Sequence, residues 1–235
     1  MRLTGVGVGP GDPDLVTVRA LKVFAAADLV FVPVGDAGDT GYAERVVLAH
    51  AGPERVRRLV FALSADPAAR ERAWDAAGRA LVDAMRGREH AAFATIGDPN
   101  LYATFTYLAD TVRGLAPGVT VDTVPGITAL QDLAARSGTV LAEGTQSLAL
   151  LPLTAGTGRL RRALHEHDTV VAYKGGRHLR QVRALLGEAG RAGDAVFGAR
   201  LGLDGQRVGA LPDGAAPYLS TVIVTRPRGA RGAAL

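Results

Sequence analysis

Short apolar runs alternate with amphipathic stretches along this chain, and that alternation limits its folds more than any other feature. LVFVPV at Leu29–Val34 is continuously apolar. Strands are also expected at 2–8, 57–63 and 91–95. Helices are expected at 14–26, 42–50, 67–86 and 101–115, where apolar residues recur at helical spacing. Such alternation argues for a mostly parallel sheet in an α/β domain. A boundary is expected at Ala116-Pro117-Gly118. Beyond it the strands are shorter (119–124, 147–151, 169–172, 195–199, 221–224) and the loops richer in glycine. Helices are expected there at 128–137 and 178–186, and a mixed sheet is expected. The reading is therefore two α/β domains, 1–116 and 119–225, followed by a basic tail at 226–235 expected to be disordered.

The first strand runs into Gly5-Val6-Gly7-Val8-Gly9-Pro10-Gly11-Asp12-Pro13. The dinucleotide fingerprint needs glycines at relative positions one, three and six. Counted from Gly5 the sixth position is Pro10, and from Gly7 it is Asp12. No Lys-Ser/Thr pair follows, so a P-loop is excluded as well. Asp12, Pro13 and Asp14 read as the capped start of a helix. Carboxylates there would oppose a phosphate at the positive end of the helix dipole. The pattern recurs at Gly97-Asp98-Pro99, and a third turn, Val124-Pro125-Gly126-Ile127-Thr128, follows another strand. Thr128 and Gln131 have the spacing of a capping box. All three turns fall at carboxyl ends of expected strands, where open α/β sheets bind ligands. An edge of glycine backbone and carboxylate suits a neutral or cationic ligand.

The formal net charge of +4 and an aromatic content of 5% leave no basic stretch interleaved with aromatic residues. Single-stranded nucleic acid is thus not an expected partner. No apolar run approaches the roughly 18 residues of a membrane span. Arg2 is followed by interrupting Gly and Asp rather than a signal-peptide core, so a cytoplasmic protein is expected. With no cysteine there are no thiolate ligands. His165 and His167 would face different ways on a helix, so no metal site is expected.

The segments GVGVGPGDPDLVTVRALKVFAAADLVFVP, GDPNLYATFTYL and VPGITAL, in this order over nearly the whole chain, resemble the tetrapyrrole (corrin/porphyrin) methyltransferases. The run Tyr102–Leu108, the stretch Lys174-Gly175-Gly176-Arg177-His178 and the segment APYLSTVIV are most similar to members that methylate carbon-20 of precorrin-2. The resemblance implies two α/β domains with a trough between them, a homodimer, S-adenosylmethionine as methyl donor with S-adenosylhomocysteine as its product, and a tetrapyrrole substrate. It places cofactor contacts on Pro10, Ile96, Gly97, Asp98, Leu101, Thr128, Ala129 and Lys174, with Ile96 acting through its backbone. It places Gly9, Gly11, Asp12, Tyr102 and Tyr107 in the substrate trough. A last cofactor segment maps loosely to 199–202, where Ala199-Arg200 stands in place of the acid followed by Arg or Asn that the pattern leads one to expect.

Methyl transfer from a sulfonium requires alignment and a suitable electrostatic environment, and no catalytic triad. Arg177 and His178 follow a glycine turn at a strand end. They are the candidate catalytic residues: Arg177 as partner of a substrate carboxylate, His178 as a substrate contact or proton carrier. The competing reading makes both a solvated helix start. Arg180 and Arg183 read as a solvated helix face. The cobalt-loaded substrate is an alternative to the metal-free one. A dinucleotide-dependent oxidoreductase is disfavoured by the glycine spacing and by Pro33-Val34-Gly35, which leave no ribose-binding acid after the second strand. A non-enzymatic binding module would show the same cleft edge and would differ only in transferring no methyl group.

Overall fold

The apolar runs of the first half become one parallel sheet. β1 (Arg2–Gly7), β2 (Leu29–Val34), β3 (Val56–Val60), β4 (His90–Thr95) and β5 (Thr120–Val124) lie in the order β3-β2-β4-β1-β5. Each neighbouring pair is parallel, so all five strands end on one edge. The computed structural model describes residues 1–36, 38, 40–61 and 66–227. Parallel neighbours require crossovers. Here these contain α1 (Val18–Ala26), α2 (Tyr42–Leu48), α3 (Pro67–Ala84) and α4 (Phe105–Leu115).

Successive strand residues point to opposite faces. Leu29, Phe31 and Phe93 pack with Leu81, Phe105, Leu108 and Val112 of α3 and α4. Val30, Val32, Ala92 and Ala94 pack with Phe24, Val46 and Val47 of α1 and α2. β2 lies inside the sheet with both faces covered, which accounts for the unbroken LVFVPV. Gly5 in β1 makes room for a ring: a Cβ there would lie 2.5 Å from Phe105.

The second unit has a mixed sheet, as its short strands and glycine loops suggest. β6 (Leu148–Pro152), β7 (Thr169–Tyr173), β8 (Ala195–Ala199), β9 (Arg207–Gly209) and β10 (Ser220–Thr225) lie in the order β6-β7-β10-β8-β9. β6 and β7 are parallel, whereas β10 runs antiparallel to β7 and β8. α6 (Gly158–Glu166) and α7 (Leu179–Glu188) cover one face through Leu160, Leu164, Leu179, Val182 and Leu186. α5 (Ala129–Ser137) covers the other, with Leu133 set over Gly198, whose Cβ would lie 2.7 Å from the leucine.

Several boundaries differ from expectation. The chain divides after Thr128 and not at 116–118. The reason is β5, which pairs with β1 from Arg2↔Thr120 to Val6↔Val124 and so belongs to the first sheet. The helix expected at 14–26 is a short 3-10 turn, Pro13–Leu15, followed by α1. The helix expected at 101–115 starts at Phe105. α6 and β9 were not anticipated. α6 has its apolar residues at Leu160, Ala163 and Leu164, a readable helical spacing diluted by three arginines in nine residues. All three residues of β9 are exposed, so no alternation marks it. The end of the strand expected at 57–63 and most of the basic tail, 228–235, lie outside the described residues. Among the described residues no helix is long and apolar enough to cross a membrane.

One polar junction organises the second sheet. The Asp168 carboxylate accepts from the backbone N–H and hydroxyl of Ser147, at 2.9 and 3.0 Å, tying the start of β6 to that of β7. Its carbonyl accepts from the buried Arg191 guanidinium at 2.8 Å, which also donates to the carbonyl of Leu164 at 3.1 Å. The Ser147 donors hold the Asp168 carboxyl below its ordinary range. A carboxyl depressed in the folded state binds its proton more readily when unfolded. Its stabilisation is therefore present at neutral pH and lost as pH falls below the usual aspartate value of about 4. Asp168→Asn is expected to lower the thermal midpoint at neutral pH, with the gap to wild type narrowing toward about pH 3. Calorimetric scans across that range test this, and a gap independent of pH would contradict it.

Candidate functional site

The carboxyl edge of the first sheet brings the three glycine turns together. Beyond the strands proper, Val8 N–H donates to Thr95 O at 3.0 Å and Gly97 N–H to Gly9 O at 2.7 Å. Gly9 and Gly97 have φ of +77° and +73°, which only glycine adopts without strain. The third turn joins through Asp98: one carboxylate oxygen accepts from Gly126 N–H at 3.0 Å, the other from Asn100 N–H at 2.8 Å. The Asn100 amide in turn reaches the Thr123 hydroxyl at 3.2 Å. A Cβ on Gly7 would sit 2.5 Å from Gly97 O and 2.6 Å from Gly126 Cα. The three backbones therefore touch with no side chain between them. On its outer side Gly97 is bare: among the described residues nothing lies within 4 Å of the position a Cβ would take.

This geometry revises the electrostatic expectation. Asp12 accepts from Asp14 N–H at 3.0 Å and so caps a three-residue turn, not a long helix. α1 begins later and is capped by Thr17, whose hydroxyl accepts from Ala20 N–H at 3.2 Å. Asp98 caps no helix either, since α4 starts at Phe105. Neither carboxylate stands at an α-helix dipole. Phosphate binding is instead disfavoured because α1 already has a capping oxygen and Asp12 and Asp14 lie in the loop before it.

Gly9, Pro10 and Gly11 are buried in the first turn, with Asp12 half-buried after it. Ile96 packs at the edge of the core shared with α1 and α2. Leu101 is held by its N–H to Asp98 O at 3.3 Å. Thr128 and Ala129 are half-buried where the third turn leads into α5. Tyr102 is exposed, at φ +51°. Tyr107 stands apart from the turns: its ring stacks on Trp74 of α3 with centroids 4.2 Å apart.

In the second unit the strand ends gather around the start of β10. Lys174 N–H donates to Ser220 O at 3.0 Å and Arg200 N–H to Leu219 O at 3.1 Å. The Lys174 ammonium lies 5.5 Å from the centre of the Tyr218 ring. Lys174 and Arg200 have φ of +59° and +51°. With Tyr102 they are the non-glycine residues in left-handed conformation among the described residues. Each carries about 1–2 kcal/mol of strain, of the kind that gathers at functional sites. All three fall in segments that the sequence marks for function.

Arg177 and His178 form a chain of hydrogen bonds. Arg177 Nη2 donates to Thr154 O at 2.7 Å and its Nε to His178 Nε2 at 3.2 Å. A guanidinium only donates, so His178 Nε2 accepts and the imidazole proton sits on Nδ1. That proton is directed to Gln181 Oε1 at 2.8 Å. Thr154 and Gln181 were not expected in this cluster. Gln181 was legible as the helical neighbour three residues beyond His178, whereas Thr154 comes from another strand end and leaves no local signal. Among the described residues no group of three His, Cys, Asp or Glu side chains is arranged to hold a metal.

Residues 2–213 match the family model of the Tetrapyrrole (Corrin/Porphyrin) Methylases. The chain is 31% identical over 231 residues to the cobalt-precorrin-2 C(20)-methyltransferase of Salmonella typhimurium, covering 96% of each protein. It is 32% identical over 235 residues to the precorrin-2 C(20)-methyltransferase of a Sinorhizobium species, covering 95% of this chain and 94% of that protein. Among solved structures, a cobalt precorrin-4 methyltransferase superposes with a TM-score of 0.71 at 20% identity, over 95% of this chain and 94% of the other. The uroporphyrin-III C-methyltransferase of Thermus thermophilus, complexed with S-adenosylhomocysteine, gives 0.67 at 23% identity over 96% and 98%. These structural likenesses establish the fold.

The glycine contacts predict an order of sensitivity. Gly97→Ala has room for its Cβ and is expected to cost about 1–2 kcal/mol of left-handed strain. Gly126→Ala would drive its Cβ into the Gly97 carbonyl and Gly7 and is expected to destabilise the protein more. Urea unfolding of both variants measures this, and the reverse order would contradict the contact.

Proposed function

The chain belongs to the tetrapyrrole (corrin/porphyrin) methylases, a family of methyltransferases, and we propose that it transfers a methyl group from S-adenosylmethionine to carbon-20 of precorrin-2, giving precorrin-3A in cobalamin biosynthesis. The observation that carries the reading is the 31–32% identity, sustained over some 95% of the chain, to two enzymes named for methylation at that carbon. One of them is named for the cobalt-loaded ring and the other for the metal-free ring, so both substrates stand. A homodimer working in the cytoplasm follows from the family resemblance and completes the proposal.

The glycine edge fits such a donor. When bound, S-adenosylmethionine supplies a methyl activated by a sulfonium, ready for in-line displacement by a nucleophilic carbon. The donor is cationic at sulfur and amine and carries no phosphate. The edge offers bare backbone at Gly97, the carboxylates of Asp12 and Asp98, and no lysine in any of its three turns. Both Asp98 oxygens accept a backbone N–H, yet each keeps a further lone pair. We assign Asp98 first to holding the turns in register. Pro10, Ile96, Gly97, Leu101, Thr128 and Ala129 are proposed to orient the donor, largely through backbone groups. Lys174, held rigidly by its own backbone bond, is proposed as a further contact.

Arg177 is proposed to hold a carboxylate of the tetrapyrrole. Its Nη2 and Nε are committed to Thr154 and His178, which aim the guanidinium and leave Nη1 for substrate. The His178 lone pair is spent on Arg177, so we assign His178 to positioning this arginine and Gln181 rather than to carrying a proton.

The test is methyl transfer itself. With 13C-methyl-labelled S-adenosylmethionine and either precorrin-2 or its cobalt complex, the label is expected at carbon-20 of the product by NMR. Label at another ring carbon would overturn the regiochemistry, and no transfer to either substrate would overturn the proposal.

A further inference from the structure

Beside Arg177 the second unit carries a groove of about 260 Å³ at the start of α7, lined by Arg177, Arg180, Gln181, Leu179 and the 213–215 turn. Its chemistry is one-sided. Arg180 is exposed, and no described residue pairs with it. Arg177 is locked by Thr154 and His178. Gln181 spends its carbonyl oxygen on the imidazole proton of His178. Its NH2 is therefore the end left to donate into the groove. Asp213, the acidic residue in the lining, is already paired with Arg183 at 3.1 Å. The first turn of α7 contains no acid and no side chain caps it, so its N–H groups add to the positive field. With Asp213 balanced by Arg183, the excess of polar side-chain groups in the lining is of donors and cations, and Leu179 supplies an apolar floor.

Such a lining selects an anion, and the size of the groove limits which one. Sites for whole drug-sized ligands run to about 300–1,000 Å³, so this groove takes a substituent rather than a macrocycle. We infer that it is a subsite for one carboxylate arm of the tetrapyrrole, with Arg180 and Gln181 joining Arg177 as specificity-determining contacts. The inference rests on the proposed substrate class and extends it to Arg180, which from sequence alone reads as a solvated helix face. An acetate or propionate arm would lay its methylenes on Leu179 and its carboxylate between the two guanidiniums, where a fork of donors matches two oxygens.

Uroporphyrin III, a carboxylated tetrapyrrole that needs no turnover, serves as probe. Binding is followed by fluorescence quenching for wild type, Arg180→Ala and Arg180→Lys, with KM for the methyl-transfer substrate and S-adenosylhomocysteine affinity measured alongside. Arg180→Ala is expected to weaken probe binding and raise KM roughly tenfold, one exposed charge-assisted contact. Cofactor affinity should be unchanged, and lysine should restore only part of the loss because it lacks the fork. Because Arg180 is exposed, its loss should leave the thermal midpoint at the wild-type value. A wild-type protein that does not bind the probe, or an Arg180→Ala variant that binds it as wild type does, overturns the subsite. Arginine-dependent probe binding without methyl transfer would leave the subsite standing while the proposed reaction fails. Methyl transfer with unchanged KM in Arg180→Ala would do the opposite.

Discussion

The contact among Gly7, Gly97 and Gly126 is the constraint on which the candidate site depends. Three turns that leave three strands of one parallel sheet would diverge if each kept side chains at its closest point. Removing every Cβ lets the backbones touch, and Asp98 then bonds across the gap to Gly126. The result is a surface of peptide groups whose positions are fixed by the sheet. Preorganised backbone of this kind needs no side-chain ordering when a ligand arrives, which lowers the entropic cost of binding. It also explains why the Asp98 carboxylate, in the middle of the candidate site, has both oxygens engaged with the protein.

Each unit uses a missing Cβ for packing as well. Gly5 admits the Phe105 ring against β1, and Gly198 admits Leu133 against β8. These glycines bring a helix close to a strand end and so fix where the following turn emerges. In the second unit the same precision is reached by strain. Lys174 and Arg200 take left-handed conformations on either side of β10 while their N–H groups bond its first residue, Ser220, and Leu219 just before it. The bonds to Ser220 and Leu219 offset the strain and hold the backbone of both residues in place.

The parallel sheet was legible because burial on two faces leaves a run such as LVFVPV without polar residues, and the mixed sheet because its strands are short and its loops rich in glycine. The site's turns were legible because glycine clusters at strand ends. Other features depended on distance along the chain. The placement of β5 in the first sheet is decided by pairing with β1, more than a hundred residues away, while the Pro-Gly at 117–118 looks locally like a domain break. Asp12 and Asp98 read as helix caps because Asp-Pro normally begins a helix. Thr17 in one case, and a longer loop before Phe105 in the other, moved the true starts. The tie between Arg177 and Thr154 crosses from one strand end to another and has no local signature.

The central claim is that the joined backbone of the three turns is the platform for the methyl donor. Amide hydrogen exchange with and without S-adenosylhomocysteine tests it directly, since it reads backbone groups one segment at a time. The account predicts slower exchange on binding at 9–12, 96–101 and 126–129, with the amino-edge loops of the same sheet unchanged. Binding of the product that leaves exchange at all three turns unaltered, with protection only elsewhere in the chain, would contradict it.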